Sequence, residues 1–212
     1  MAIKNDREYR NFNSFALKRS DNESDSFIVE GYASTFETYT LYDFGDEEWR
    51  EKIEPEAFKD ADLSDVVFLR DHAGQVFART KNNTIALMSD DKGLFSRTNL
   101  SSTSAARGMY EDIEAGLYSQ MSFAFTVAEQ KFEEAMEDGK RVYTRVISRI
   151  KKVYDISAVA FPANPTTDIG ISTRSIFDGA IEDLRAERLE RQKAENEAER
   201  QKAIVRLKLK EL

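Results

Sequence analysis

Apolar residues in this chain recur in short runs, and where a period is visible it is more often two than three to four, which predicts strands more than helices. Phe27-Ile28-Val29-Glu30-Gly31-Tyr32-Ala33 follows the polar stretch Ser20-Asp21-Asn22-Glu23-Ser24-Asp25, so a turn there would fold residues 27–33 back on residues 12–17. Thr84-Ile85-Ala86-Leu87-Met88 and Leu94-Phe95-Ser96-Arg97-Thr98 flank Asp90-Asp91-Lys92-Gly93 and predict a second hairpin. Asp138-Gly139 predicts a third, joining residues 123–132 to 141–150, because this dipeptide tolerates the positive φ angles of a two-residue turn. In Gln120-Met121-Ser122-Phe123-Ala124-Phe125-Thr126-Val127, alternation puts Met121, Phe123, Phe125 and Val127 on one face and Gln120, Ser122, Ala124 and Thr126 on the other.

Helical signals are fewer. Pro55 suits the first turn of a short helix. Thr103 or Ser104 can cap a longer one, in which Ala105, Met109 and Ile113 recur every four residues before Gly116 ends it. Composition then changes near Phe177. Residues 178–212 hold 9 acidic and 9 basic residues with no Pro and one Gly, and Glu187 and Arg191, or Glu199 and Lys202, stand at helical spacing. Ile181, Leu184 and Leu189 do not sustain a heptad, so this part reads as a solvated helix and not a long coiled coil. The expected organisation is a strand-rich body, residues 1–177, and a charged helical tail, residues 178–212. The fold class expected is α+β: a mostly antiparallel barrel or sandwich with flanking helices and a C-terminal charged helix.

Composition narrows the chemistry. With 212 residues, 41% of them hydrophobic, the chain can close one sizeable core. Its net charge of −8 resides in residues 1–177, which opposes binding to nucleic acid phosphates or to anionic membranes. The absence of Cys removes disulfides, thiol nucleophiles and thiolate-bound zinc, and a single His removes any two-His metal site. The first residues carry no apolar signal core and no run of about eighteen apolar residues occurs, so a soluble intracellular protein is expected. Asp43, Asp46, Glu47 and Glu48 lack metal-loop spacing and read as a solvated loop.

Three residues stand out. His72 is the only side chain whose ordinary pKa lies close to neutrality, and it follows the apolar run Val66-Val67-Phe68-Leu69, where a strand would end and a loop containing Gly74 begin. Asp71 would not orient it, since adjacent strand residues face opposite ways. Ser122 has Ala124 beside it on its face, which leaves room for a substrate backbone; Ser119, at the turn after the helix, is a competitor. Asp155 lies in the buried-strand composition Val153-Tyr154-Asp155-Ile156-Ser157-Ala158-Val159 and needs a partner to stay ionised. That partner could be an imidazole, backbone N–H groups, or Arg145, Arg149, Lys151 or Lys152. His72, Ser122 and Asp155 are one set that fills the roles of base, nucleophile and orienting carboxylate.

Val29-Glu30-Gly31-Tyr32-Ala33-Ser34-Thr35-Phe36, Ile53-Glu54-Pro55-Glu56-Ala57-Phe58, Arg70-Asp71-His72, Gln120-Met121-Ser122-Phe123-Ala124-Phe125 and Asp155-Ile156-Ser157-Ala158-Val159-Ala160-Phe161-Pro162-Ala163-Asn164-Pro165 resemble, in order and spacing, the HK97-type phage prohead protease family. The resemblance covers about residues 30–171. It implies a serine endopeptidase with a herpesvirus-assemblin-like β-barrel, with His72 as base, Ser122 as nucleophile and Asp155 where members usually carry Glu. It further implies scaffold and the scaffolding segment of the major capsid protein as substrates, action inside the assembling procapsid in the host cytoplasm, and self-cleavage. No cofactor, metal, nucleic acid or membrane is called for, and a homo-oligomer is left open. Substrate recognition by strand addition at a sheet edge beside Ser122 would suit such an enzyme. The competing expectations are a catalytically inactive barrel with a structural role in the procapsid, and an unrelated barrel with His72 in a ligand pocket.

Overall fold

The computed structural model describes residues 7–12, 15–16, 27–160 and 171–208. The chain divides into two compact units, Met1–Ser172 and Thr173–Leu212.

Among the described residues the first unit has eleven strands in two sheets: β1 (Glu8–Phe12), β2 (Phe15–Ala16), β3 (Ile28–Thr35), β4 (Tyr39–Asp43), β5 (Glu47–Ile53), β6 (Val67–Arg70), β7 (Ala73–Arg79), β8 (Ile85–Ser89), β9 (Gly93–Asn99), β10 (Gln120–Glu137) and β11 (Lys140–Val159). The seven-stranded sheet runs β1-β10-β11-β5-β4, with β6 pairing both β11 and β7, and the four-stranded sheet runs β2-β3-β9-β8. The α+β class is as expected, but among the described residues the strands do not close into a barrel. The two longest strands give their outer edges elsewhere. β10 pairs with β1 at residues 121–125, while β11 takes two parallel partners in succession, β5 along residues 141–147 and β6 along residues 155–158. Among the described residues neither pairs with a strand of the second sheet.

One apolar core joins the sheets. Val29, Ala33, Ile85 and Leu94 from the smaller sheet meet Ile53, Phe68, Phe123, Phe125 and Ile147 from the larger, all buried. Helix α1 (Ser104–Glu114) adds Ala106, Met109, Tyr110 and Ile113 to the same cluster. The Thr103 hydroxyl caps it by accepting the Ala106 N–H at 3.0 Å, and Gly116, at φ +76°, ends it. The inward stripe includes Ala106 where a strict four-residue spacing points to Ala105, because the helix turns every 3.6 residues. Pro55–Phe58 is a 3₁₀ turn with Ala57 and Phe58 buried.

The hairpins follow their turn chemistry. Between β8 and β9 the Asp90 carboxylate accepts the N–H groups of Lys92 at 2.8 Å and Gly93 at 3.0 Å. At Gly93 a Cβ would stand 2.0 Å from the Ser34 carbonyl oxygen, so only glycine lets β9 lie so close to β3. Asp138 and Gly139, at φ +50° and +81°, join β10 to β11. The hairpin expected at the N-terminus is only partly formed: Phe15 and Ala16 pair with β3, but Phe12 belongs to β1, which pairs with β10. The turn assigned to Ser20–Asp25 lies outside the described residues. The described part of the second unit belongs to helix α2, whose backbone runs Ile171–Lys208 and so begins before the change of composition at Phe177. Among the described residues no helix is long and apolar enough to cross a membrane.

Candidate active site

Ser122 and Asp155 owe their proximity to strand register. In the antiparallel pair β10–β11, Ser122 stands opposite Ser157 and Ala124 opposite Asp155, so these four share one face across two neighbouring rungs. Past this point the pairing slips: Phe125 pairs with Val153, leaving Tyr154 as an extra residue and adding local twist.

His72 reaches the same face from the far side of β11. β6 runs parallel to β11, with Arg70 opposite Ala158, and Arg70 pairs with Ala73 across a two-residue turn made of Asp71 and His72. Both turn residues are left-handed, at φ +47° and +56°, which is the type I′ geometry of a tight hairpin and which Asp and His tolerate better than most residues. The turn is fastened to β11. The Asp71 N–H donates to the Ala158 carbonyl at 3.0 Å, and the Asp71 carboxylate accepts the Ala160 N–H at 3.3 Å. Asp71 thus anchors the backbone and does not touch the imidazole through its carboxylate, whereas Gly74 lies within β7 and not in a loop.

The side chains then meet in line. His72 Nε2 lies 2.5 Å from Ser122 Oγ, and His72 Nδ1 lies 2.5 Å from Asp155 Oδ1. An ionised carboxylate can only accept, so Nδ1 carries the hydrogen and Nε2 is left free to receive the Ser122 hydroxyl proton. Ser122 is fully buried, Asp155 nearly so, and the His72 side chain is 16% exposed. Three of the four basic residues that might have claimed Asp155 are engaged elsewhere, Arg145 with Glu8 and Glu51, Arg149 with Glu129 and Lys152 with Asp62, and the fourth, Lys151, is exposed. Ser119 is exposed ahead of β10. In the acidic cluster, Asp43 pairs with Lys140 at 2.7 Å and Glu48 with Arg50 at 2.7 Å, and among the described residues no three His, Asp or Glu side chains are grouped as metal ligands.

Two further residues complete the arrangement. Ser157 Oγ donates to Asp155 Oδ1 at 2.9 Å and accepts the His72 backbone N–H at 3.2 Å, tying the carboxylate to the turn that carries the imidazole. Its place two residues after Asp155 on a strand was the signal available in the sequence. Tyr9 of β1 sets its ring edge-on to the imidazole, centroids 4.6 Å apart. No local pattern could reveal that contact.

On the opposite face of β1, Glu8 and Arg10 enter a buried ionic cluster. Arg10 contacts Glu51 at 2.5 and 2.8 Å and Glu8 at 2.9 Å, while Arg145 contacts both Glu8 and Glu51. Burial opposes the ionisation of Glu51, but the charges of Arg10 and Arg145 with hydrogen bonds from Arg10 and Tyr39 outweigh it and hold the carboxyl down at about 2.

The fold thus brings a serine, a histidine and an aspartate into line from two paired strands and the β6–β7 turn beside them. Residues 14–180 match the caudovirus prohead serine protease family, and the chain belongs to that family. It is accordingly a serine protease of phage capsid maturation by kinship. Neither the curated proteins nor the solved structures compared with it gave a match.

Proposed function

We propose that the chain is an active endopeptidase in which Ser122 is the nucleophile, His72 the general base and Asp155 the group that orients and stabilises the imidazole. The observation that carries this reading is the continuous line from Ser122 Oγ through His72 to Asp155, 2.5 Å at each link.

As Ser122 Oγ attacks the scissile carbonyl carbon, its proton passes to His72 Nε2 and the carbonyl electrons move to oxygen. The resulting imidazolium donates through Nδ1 to Asp155, which remains ionised. Collapse of the tetrahedral species breaks the C–N bond, and the proton on Nε2 leaves with the amine. Water then repeats the sequence on the acyl ester, giving its proton to His72 and releasing the acid, with the hydroxyl of Ser122 restored. Substrates in this reading are the scaffolding segment of the major capsid protein and the scaffold, both confined with the enzyme inside the procapsid, where effective concentration offsets shallow recognition. The charged helical tail serves as a docking arm or as a self-processed segment.

The experiment is co-expression of the full chain with its capsid protein, read by mass spectrometry. Ser122→Ala is expected to abolish processing and leave the melting temperature unchanged. Undiminished processing would remove Ser122 from the mechanism, and an α2 segment still intact after maturation would overturn self-removal.

A further inference from the structure

An extended substrate joining the sheet beside Ser122 needs a free edge on β10, and there is none at that point. β11 pairs with one side, and β1 pairs with the other in antiparallel register, Asn11 opposite Ser122 and Tyr9 opposite Ala124. Among the described residues β1 is the last strand on its side of the sheet, five residues long. Ser122 beside it is fully buried, and the Tyr9 ring of β1 stands against His72.

We propose that β1 occupies the substrate's strand position in the resting protein and must peel away before a polypeptide can be cut. This rests on Ser122 being the nucleophile and adds what controls access to it. The incoming chain is an extended peptide that replaces the residues 8–12 backbone rung for rung.

The buried charges are arranged to permit such release. β1 brings one acid and one base to the ionic cluster, Glu8 and Arg10, which pair with each other at 2.9 Å. The residues left behind, Glu51 and Arg145, also pair with each other, at 2.9 Å, and keep hydrogen bonds from Tyr39 and to Gln130. Departure of β1 therefore removes a neutral pair and strands no single buried charge, the situation that would make detachment most costly. β2 is held in the other sheet by Gly31 and Glu30, so β1 can leave without it.

The test uses the full chain and an alkyl fluorophosphonate that labels an activated serine. Glu8→Ala combined with Arg10→Ala loosens β1 while preserving charge balance, and Ser122 should label about tenfold faster than in the unsubstituted chain, as the open fraction rises. An equal or slower rate in a variant with an unchanged far-UV and near-UV spectrum overturns the proposal. A lock supplies the second arm. Because the chain has no Cys, Tyr9→Cys with Ala124→Cys creates a single oxidisable pair on directly opposite residues. Its oxidised form should label about tenfold more slowly than its reduced form, with each single-Cys variant indifferent to oxidant. Equal labelling of the oxidised and reduced forms, with the disulfide verified by mass, overturns the strap even if the first variant fails to fold. If Ser122 labels in none of these proteins, the nucleophile assignment itself fails and the proposal falls with it; labelling that ignores β1 leaves that assignment standing.

Discussion

One imidazole shares its two nitrogens between an alcohol and an acid, which makes His72 sensitive to substitutions that never touch a substrate. In Asp155→Asn the side chain no longer enforces a hydrogen on Nδ1, and kcat on a capsid-derived peptide is expected to fall about ten-thousand-fold with KM little changed. Ser157→Ala removes one donor to the carboxylate and the acceptor for the His72 N–H; kcat should fall about tenfold at constant KM. A rise in KM alone in either variant would place that residue in substrate binding. At this scale the sequence was informative where chemistry is local. A carboxylate in an apolar strand and a lone His at a strand end announce themselves. Tyr9 does not, because its position on His72 depends on a pairing between residues more than one hundred positions apart.

Elements were legible wherever turn or cap chemistry punctuates them. Thr103 is the case in α1, and Thr103→Ala should cost about 1 kcal/mol in chemical denaturation; a neutral result would mean that packing of Met109, Tyr110 and Ile113 alone sets the helix start. The Asp90 and Asp138-Gly139 turns were equally readable. The lengths of β10 and β11, 18 and 20 residues, were not. Register shifts near Ala124, Val127 and Glu129 break the period of two, so alternation loses its phase midway along the ribbon. The parallel pairing of β11 with β5 and β6 also escapes local reading, since nothing in residues 47–53 or 67–70 names a partner ninety positions away.

For the whole molecule, net charge was visible in composition but its burial was not. Glu51 is fully buried between two arginines, with its carboxyl held at about 2 against an ordinary value near 4.3. A lowered folded pKa contributes stability that is complete above about pH 4.5 and lost as pH falls toward about 2. The melting temperature should therefore drop through that window. Glu51→Gln should flatten the drop while lowering stability near neutrality by about 3–5 kcal/mol, because Arg10 and Arg145 lose one of the two carboxylates they share and two positive charges are left facing Glu8 alone. An unaltered slope in that variant would assign acid sensitivity to other carboxylates.

The two tightest hairpins have the same construction, a pair of left-handed residues closing antiparallel strands, yet they leave very different latitude to a lineage of such chains. Asp138-Gly139 sits at the tip of a ribbon, where added residues would merely lengthen an arm. Asp71-His72 is a turn whose second member is the imidazole itself, so any insertion there swings the ring out of line with its two neighbours. Length variation among descendants is thus channelled to the ribbon tip and barred from the turn that carries the imidazole.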